Sequence, residues 1–202
     1  MKSNARAAVE AFRVVALTLS LGANASAQTS KTDTAGADAT SLRGLAALSV
    51  GRGLRFNNPF RLETPLGDTA ESVSLSSTYL DTSLGVLFAG PTLEQGVNLS
   101  GTFALQGIGQ FCLTPSYLAQ IDVAQRVAAR GRLGIPIVIA PDTTLGMEAA
   151  IGSNLDVIHG LGLTAEVVGS VFFGAATEEK SVTTFPMLSL QVGVIFEHGV
   201  VW

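Results

Sequence analysis

The feature that most constrains the fold is the segment "GVNLSGTFALQGIGQF", residues 96–111, because its apolar residues recur at every second position. One parity holds Val97, Leu99, Phe103, Leu105 and Phe111, and the other holds mainly Asn, Ser, Thr and Gln. A period of two indicates a strand with one apolar and one polar face. Strands of globular proteins usually run about five or six residues. The segment therefore predicts an unusually long strand whose two faces meet different surroundings.

Comparable segments recur along the chain and predict eight strands in all. The predicted strands are 44–56, 71–90, 96–111, 117–130, 133–140, 145–153, 161–174 and 185–198. The alternation slips near Tyr79–Asp81, which indicates a bulge. Segment 117–130 is rich in helix formers, so a helix is the alternative there. Pro136 disfavours its strand locally because proline cannot donate to a ladder.

The connections between the predicted strands alternate in character. The odd-numbered gaps include the two longest and most polar segments, 57–70 and 175–184. The even-numbered gaps are generally short, with tight turns predicted at Gly131–Arg132 and in "NLDVIHG", residues 154–160. Short turns at one end and larger loops at the other are typical of an antiparallel up-and-down barrel. Segment 57–70 is the best candidate loop for outside contacts, with a merely solvated connection as the alternative.

The N-terminal residues predict export from the cytoplasm. Residues 1–27 combine basic residues, a short apolar core "VVALTLSLG" and the small pair Ala25 and Ala27 at the cleavage positions, which is typical of a signal peptide. An N-terminal helix of the mature fold is the alternative. The polar residues 28–43 predict a flexible lead-in, which leaves 44–202 for the barrel.

Charge and motif content exclude several classes of function. Without residues 1–27, 9 basic and 15 acidic residues remain, a net charge of −6 that argues against a nucleic-acid partner. Cys112 is the only cysteine, so no intrachain disulfide forms. Neither His159 nor His198 has an evident catalytic partner, and the sequence lacks a nucleophile elbow, a metal motif and a phosphate loop. We therefore predict no cofactor, no metal and no enzymatic activity.

Charged residues gather on the parity opposite the apolar one. This candidate lumen set consists of Asp122, Arg126, Arg130, Arg132, Glu148, Glu166 and Glu197. In a membrane barrel the apolar parity faces lipid and the polar parity fills the lumen, where these side chains would form an ion-pair network. The network would either fix a closed interior or line a narrow path for a small solute. In a secreted, lipocalin-like soluble barrel the faces would be inverted, and an apolar ligand would lie inside.

The combination of a signal peptide, eight two-faced strands and glycine-rich motifs such as "LGMEAAIG" resembles the bacterial small outer-membrane β-barrels. The relevant groups are the transmembrane domain of outer-membrane protein A and the outer-membrane protein W and X groups. The resemblance implies an all-β, eight-stranded transmembrane barrel in the outer membrane, with its lipids and the barrel assembly machinery as partners. It also implies an aromatic residue at the end of the last strand. Two residues are candidates: Trp202 stands last in the sequence, and Phe196 fits the end of the predicted strand. A lipid-modifying barrel enzyme that uses a histidine is a further alternative within this resemblance.

Overall fold

The computed structural model describes residues 42–56, 73–88, 90, 92–107, 109–141, 143–158, 160–174 and 184–200. They form ten strand segments: β1 (Leu42–Arg55), β2 (Ser74–Leu75), β3 (Tyr79–Phe88), β4 (Glu94–Ala104), β5 (Phe111–Ala124), β6 (Val127–Gly134), β7 (Ile137–Ala140), β8 (Thr144–Ile158), β9 (Leu161–Phe173) and β10 (Thr184–Val200). The predicted signal peptide, loop 57–70, His159 and Trp202 lie outside the described residues, as does the predicted lead-in up to residue 41.

The strands form one closed antiparallel sheet. Apart from the short segments β2 and β7, each strand pairs with the strand that follows it in the chain. The first strand, β1, pairs with both β3 and β10, which leaves no open edge. The segments β2 and β3 both pair with β1 and act as one broken strand. The segments β6 and β7 both pair with β5 and β8 and act as another. The predicted eight-stranded antiparallel barrel is thereby confirmed.

The register of the ladders fixes the tilt of the strands. The shear is counted by stepping from a residue to its partner on the next strand until the barrel has been circled. From Glu166, the steps through Gly152, Arg130 and Gln120 reach Glu94 on β4. The opposite way round, through Gln191, Gly51 and Tyr79, the same ladder reaches Ala104, ten residues further along β4. A shear of ten over eight strands gives a tilt of about 41°, for a rise of ~3.3 Å per residue and a strand spacing of ~4.7 Å. So narrow a barrel has room for little beyond its own side chains.

The two ends of the barrel differ. At one end lie residues 89–93, 125–126 and 159–160 together with Leu42 and Val200, and we call this the short-turn end. At the other, the long-loop end, the connections are 56–73, 105–110, 141–143 and 174–183. The two longest connections, 56–73 and 174–183, belong to the same end, as predicted, although 141–143 at that end is shorter than 89–93 at the other.

Several predicted boundaries are wrong, although the segments are strands. The predicted strand 96–111 ends at Ala104, and the chain bends before β5 begins at Phe111, with Gly107 at a φ of 77° that favours glycine. The fourth strand also contains "CLTPS", and the helix alternative for 117–130 is wrong. The break between β6 and β7 falls at Ile135 and Pro136, where proline interrupts the ladder.

The turn between the fourth and fifth strands lies away from its predicted position. It lies at Gln125–Arg126, while Gly131 and Arg132 stand inside β6. A two-residue turn alone would pair even-numbered with odd-numbered residues, as Ala124 and Val127 do, but a bulge between Asp122 and Ala124 shifts the register by one residue. Even-numbered residues therefore face inward on both sides of the turn. A second bulge, between Asp156 and Ile158, has the same effect on the ladder of β8 with β9. The strand β8 continues through residues 154–158 of the predicted turn "NLDVIHG".

No helix in the described part of the chain is long and apolar enough to span a membrane.

Candidate functional site: the lumen of the barrel

The two faces of the barrel have opposite chemistry. Outward side chains are large and apolar, and Ile151, Leu133 and Val97 are 71%, 63% and 62% exposed. Inward side chains are mainly polar and buried, among them Gln120, Ser100, Asn98, Thr114, Arg130, Arg132, Glu166 and Gln191. This polarity is that of a barrel surrounded by lipid. The alternative of a soluble, lipocalin-like barrel with an apolar interior is therefore wrong.

Four charged side chains form a central network at mid-height in the lumen. Arg130 and Arg132 occupy successive inward positions of β6, because residues two apart in a strand share a face. Arg130 Nε lies 2.7 Å from Glu166 Oε1. Arg132 Nη2 lies 3.3 Å from Glu166 Oε2, and its Nη1 lies 3.0 Å from Glu148 Oε1. Arg132 thus meets carboxylates from β8 and β9, and Arg130 meets the one from β9.

Neutral polar side chains complete the central network. Gln191 Nε2 donates to Glu166 Oε2 at 2.6 Å, and the Ser170 hydroxyl donates to Glu148 Oε2 at 3.2 Å. Arg132 Nη1 also donates to the Ser100 hydroxyl at 3.3 Å. Burying a charge costs free energy unless the charge is paired and hydrogen-bonded. The contacts of Glu166 meet both conditions.

A second ion-pair group, the mouth network, closes the short-turn end. Arg43 bridges Glu94 and Glu197, with N–O distances of 2.9 and 3.1 Å. Asn154 links the two networks, since its amide donates to Glu197 Oε1 at 3.1 Å and accepts from Arg130 Nη1 at 3.5 Å. Sequence reasoning misses Arg43 and Glu94, because the pattern predicts a lead-in at the first and a turn at the second. Their inward parity in β1 and β4 is the signal that identifies them.

Two of the predicted lumen residues stay outside both networks. Asp122 and Arg126 are exposed at the short-turn end, Asp122 near the end of β5 and Arg126 in the turn that follows. The sequence places both residues inside the predicted strand 117–130, whereas the turn at Gln125–Arg126 puts them at the end of the barrel. The structure brings together Arg130, Arg132, Glu148 and Glu166 directly, and it joins Glu197 to them through Asn154.

Sequence reasoning also missed Asp81 and Tyr79, which face the lumen from β3. Asp81 is 7% exposed, and its Oδ2 accepts a hydrogen bond from Thr102 at 2.8 Å. The Tyr79 hydroxyl donates to the Ser189 hydroxyl at 3.0 Å. The irregular alternation predicts a bulge at these residues, but they lie in a regular ladder with β1 and β4.

Apolar side chains block the lumen in the half nearer the short turns. Leu45, Leu87, Leu118 and Ile195 form a buried cluster, here called the plug, and Leu87 and Leu118 are fully buried. Toward the long-loop end the lumen widens into a cavity of about 70 Å³, here called the upper cavity. Its lining includes Tyr79, Asp81, Arg132, Glu148, Phe172 and Met187. Among the described residues, therefore, the plug interrupts the lumen and no continuous channel passes through it.

The described residues offer little for catalysis or metal binding. No group of three His, Cys, Asp or Glu side chains among them could hold a metal ion. His198 shares the outward face of β10 with Phe196, and their rings lie 6.5 Å apart, away from the lumen carboxylates. Cys112 is buried beside Val138 and Phe172 as a small apolar residue.

A closed eight-stranded barrel with an apolar exterior and a polar, ion-paired interior is a small transmembrane β-barrel of the outer-membrane type. That class follows from this chain's own topology and surface.

The comparisons with known proteins concern the fold alone. No family model matches the chain, and no curated protein resembles it in sequence. The crystal structure of Neisserial surface protein A is 14% identical, with a TM-score of 0.44 over 76% of this chain and 96% of that one. The outer-membrane protein AlkL, solved in lipid bilayers, is 11% identical, with a TM-score of 0.44 over 86% and 97%. The Ail protein of Yersinia pestis is 12% identical, with a TM-score of 0.37 over 76% and 99%.

Proposed function

We propose that this protein is a bacterial outer-membrane barrel with a structural or interaction role and without enzymatic activity. The observation that carries the proposal is the combination of a lipid-compatible exterior with a filled lumen. Open sheet edges are not tolerated in lipid, and the β1–β10 pairing removes them. Its immediate partners in this role are outer-membrane lipids and the barrel assembly machinery that inserts such proteins.

The orientation follows from the unequal ends. In outer-membrane barrels short turns face the periplasm and longer loops face outward. We therefore assign the short-turn end, with Leu42 and the mouth network, to the periplasmic side. The long-loop end would then present the upper cavity and the long connections to the cell exterior, where contacts with other molecules form.

Passage of a small solute is the second candidate function, favoured only by the upper cavity. The plug argues against it, because a solute that left the cavity would have to displace Leu87 and Leu118, which are fully buried. Below them Arg43 also joins Glu94 and Glu197 across the mouth. A resting barrel of this construction holds its shape without conducting.

Membrane fractionation tests the location, followed by comparison of boiled and unboiled samples on an SDS gel. The expected result is sedimentation with the outer membrane and a heat-dependent shift in mobility. A soluble protein without such a shift would contradict the proposal.

Conductance across a planar bilayer then separates the two roles. We expect no steady current from the purified barrel. A stable ohmic conductance would favour solute passage over a purely structural role.

A further inference from the structure

Arg55 differs from the other arginines that face the lumen. It is the last residue of β1 and shares the inward parity of Arg43. Arg43, Arg130 and Arg132 each lie within 3.3 Å of a carboxylate oxygen, whereas Arg55 has no ion pair among the described residues. Its side chain lines the upper cavity at the long-loop end of the lumen. Within this part of the chain, the positive charge of Arg55 therefore has no counter-ion.

Most hydrogen-bond donors of Arg55 are also without an acceptor. A guanidinium group carries five N–H donors. Among the described contacts, Nη2 donates to the side-chain oxygen of Gln110 at 3.2 Å, and Nε is buried without a partner. The amide nitrogen of Gln110 adds two donors beside Arg55, because its oxygen is turned toward the guanidinium. This end of the cavity presents donors and a positive charge, which an anion would satisfy.

The carboxylates that line the same cavity are placed elsewhere. Asp81 pairs with Ser49, six residues before Arg55 in β1, which separates the two backbones by about 20 Å along the wall for a rise of ~3.3 Å per residue. Glu148 lies three strands away from Arg55 on one ladder row, and its carboxylate is held by Arg132 at 3.0 Å. An anion bound to Arg55 would therefore lie nearer to a guanidinium group than to either carboxylate.

The size of the cavity limits the anion to a few atoms. A volume of about 70 Å³ exceeds the share of one water molecule in the liquid, about 30 Å³, by little more than a factor of two. An anion as small as acetate fits that space. A sugar acid such as gluconate does not.

The walls on the two sides of Arg55 differ in chemistry. Met187 is its direct partner on β10, and side chains of such pairs lie about 5 Å apart on one face of the sheet. Met187 packs beside Phe172 and Phe185, whose rings stack at 5.1 Å. On the other side, where β2 pairs with β1, the cavity is lined by Ser76 and Ser77. An anion with a short alkyl group would meet both walls, whereas an inorganic anion has no apolar part for Met187.

We propose that the upper cavity binds a small carboxylate anion, best met by acetate, whose oxygens accept hydrogen bonds from Arg55 and Gln110 while its methyl group contacts Met187. The plug closes the lumen below the cavity, so the site binds its ligand and does not pass it on. The proposal rests on the barrel fold alone and does not depend on the proposed outer-membrane role.

The test measures the thermal unfolding midpoint of the folded barrel in detergent, in sodium acetate and in sodium gluconate at equal ionic strength and pH. A ligand that binds only the folded state raises that midpoint. We expect acetate to raise it by several degrees relative to gluconate, which carries the same charged group but is too large for the cavity. The Arg55→Gln variant should lose this difference. The matched control Arg52→Gln, which changes an exposed guanidinium on the outward face of the same strand, should retain it.

Two outcomes would overturn the proposal: equal midpoints in the two salts, or a salt difference that survives in Arg55→Gln. If Arg55→Gln does not fold, the wild-type barrel still decides the question by NMR. Nuclear Overhauser effects between the methyl group of acetate and the side chain of Met187 are expected. Binding without those effects would place the anion elsewhere and contradict the assignment. Either failure would leave the fractionation result unaffected.

Discussion

Arg130 Nε lies 2.7 Å from Glu166 Oε1 in the lumen, with the two residues only 8% and 4% exposed. Their strands do not adjoin, because β8 passes between β6 and β9. Gly152 is the residue of β8 that pairs with both, so no side chain stands between them. The ion pair therefore spans three strands and fixes their register.

Removal of Glu166 should be severe. The Glu166→Ala variant leaves Arg130 without an ion pair and takes one of two carboxylates from Arg132. Breaking a buried pair from one side typically costs about 3–5 kcal/mol, because an uncompensated charge stays buried. Urea unfolding of the barrel in lipid vesicles measures this loss in the free energy of unfolding. The matched control Asp122→Ala, at an exposed acid, should stay within about 0.5 kcal/mol, and equal effects would refute a stabilising network.

A second prediction concerns Gly51, whose strand partner is Tyr79. A Cβ atom at Gly51 would overlap the Tyr79 ring, so the ring lies directly over this glycine. The Gly51→Ala variant should lower the free energy of unfolding by about 1–3 kcal/mol, as overpacked sites do. It should also displace the Tyr79 hydroxyl from Ser189, which NMR shifts of the ring would report.

Gly131→Ala is the matched control for this substitution. Gly131 also stands inside a strand, but no atom lies within 4 Å of its virtual Cβ. We expect little or no loss of stability there. A loss as large as that of Gly51→Ala would mean that strand glycines matter generally and that the Tyr79 contact does not.

The third prediction concerns the plug. The Leu118→Ala variant removes a fully buried side chain and should cost about 2–5 kcal/mol in the free energy of unfolding. Leu133→Ala, at a lipid-facing position 63% exposed, should cost less. Combining Leu87→Ala with Leu118→Ala should also raise the conductance of the barrel in a planar bilayer. An unchanged, zero conductance would show that the central network closes the lumen by itself.

The sequence predicted the strand number, the faces and most of the central network because all three depend on parity. Arg130 and Arg132 were correctly placed on the polar face even though the turn beside them was wrong. Parity carries no information about which strands meet across the lumen, since that depends on the shear at closure. Arg43, Glu94 and Asp81 were missed for a local reason: they stand beside turns or irregular alternation, where the pattern weakens.

The last prediction distinguishes a membrane barrel from a soluble one through two outward residues of similar exposure. Ile151 lies at mid-height and is 71% exposed, whereas Val123 lies near the short-turn end and is 65% exposed. Arginine costs about 2–4 kcal/mol at the bilayer midplane but only about 0–1 near the interface. Ile151→Arg should therefore destabilise the barrel in lipid vesicles far more than Val123→Arg, as measured by urea unfolding. In water both positions are exposed and would tolerate arginine equally, so equal and small losses would show that lipid does not surround this face.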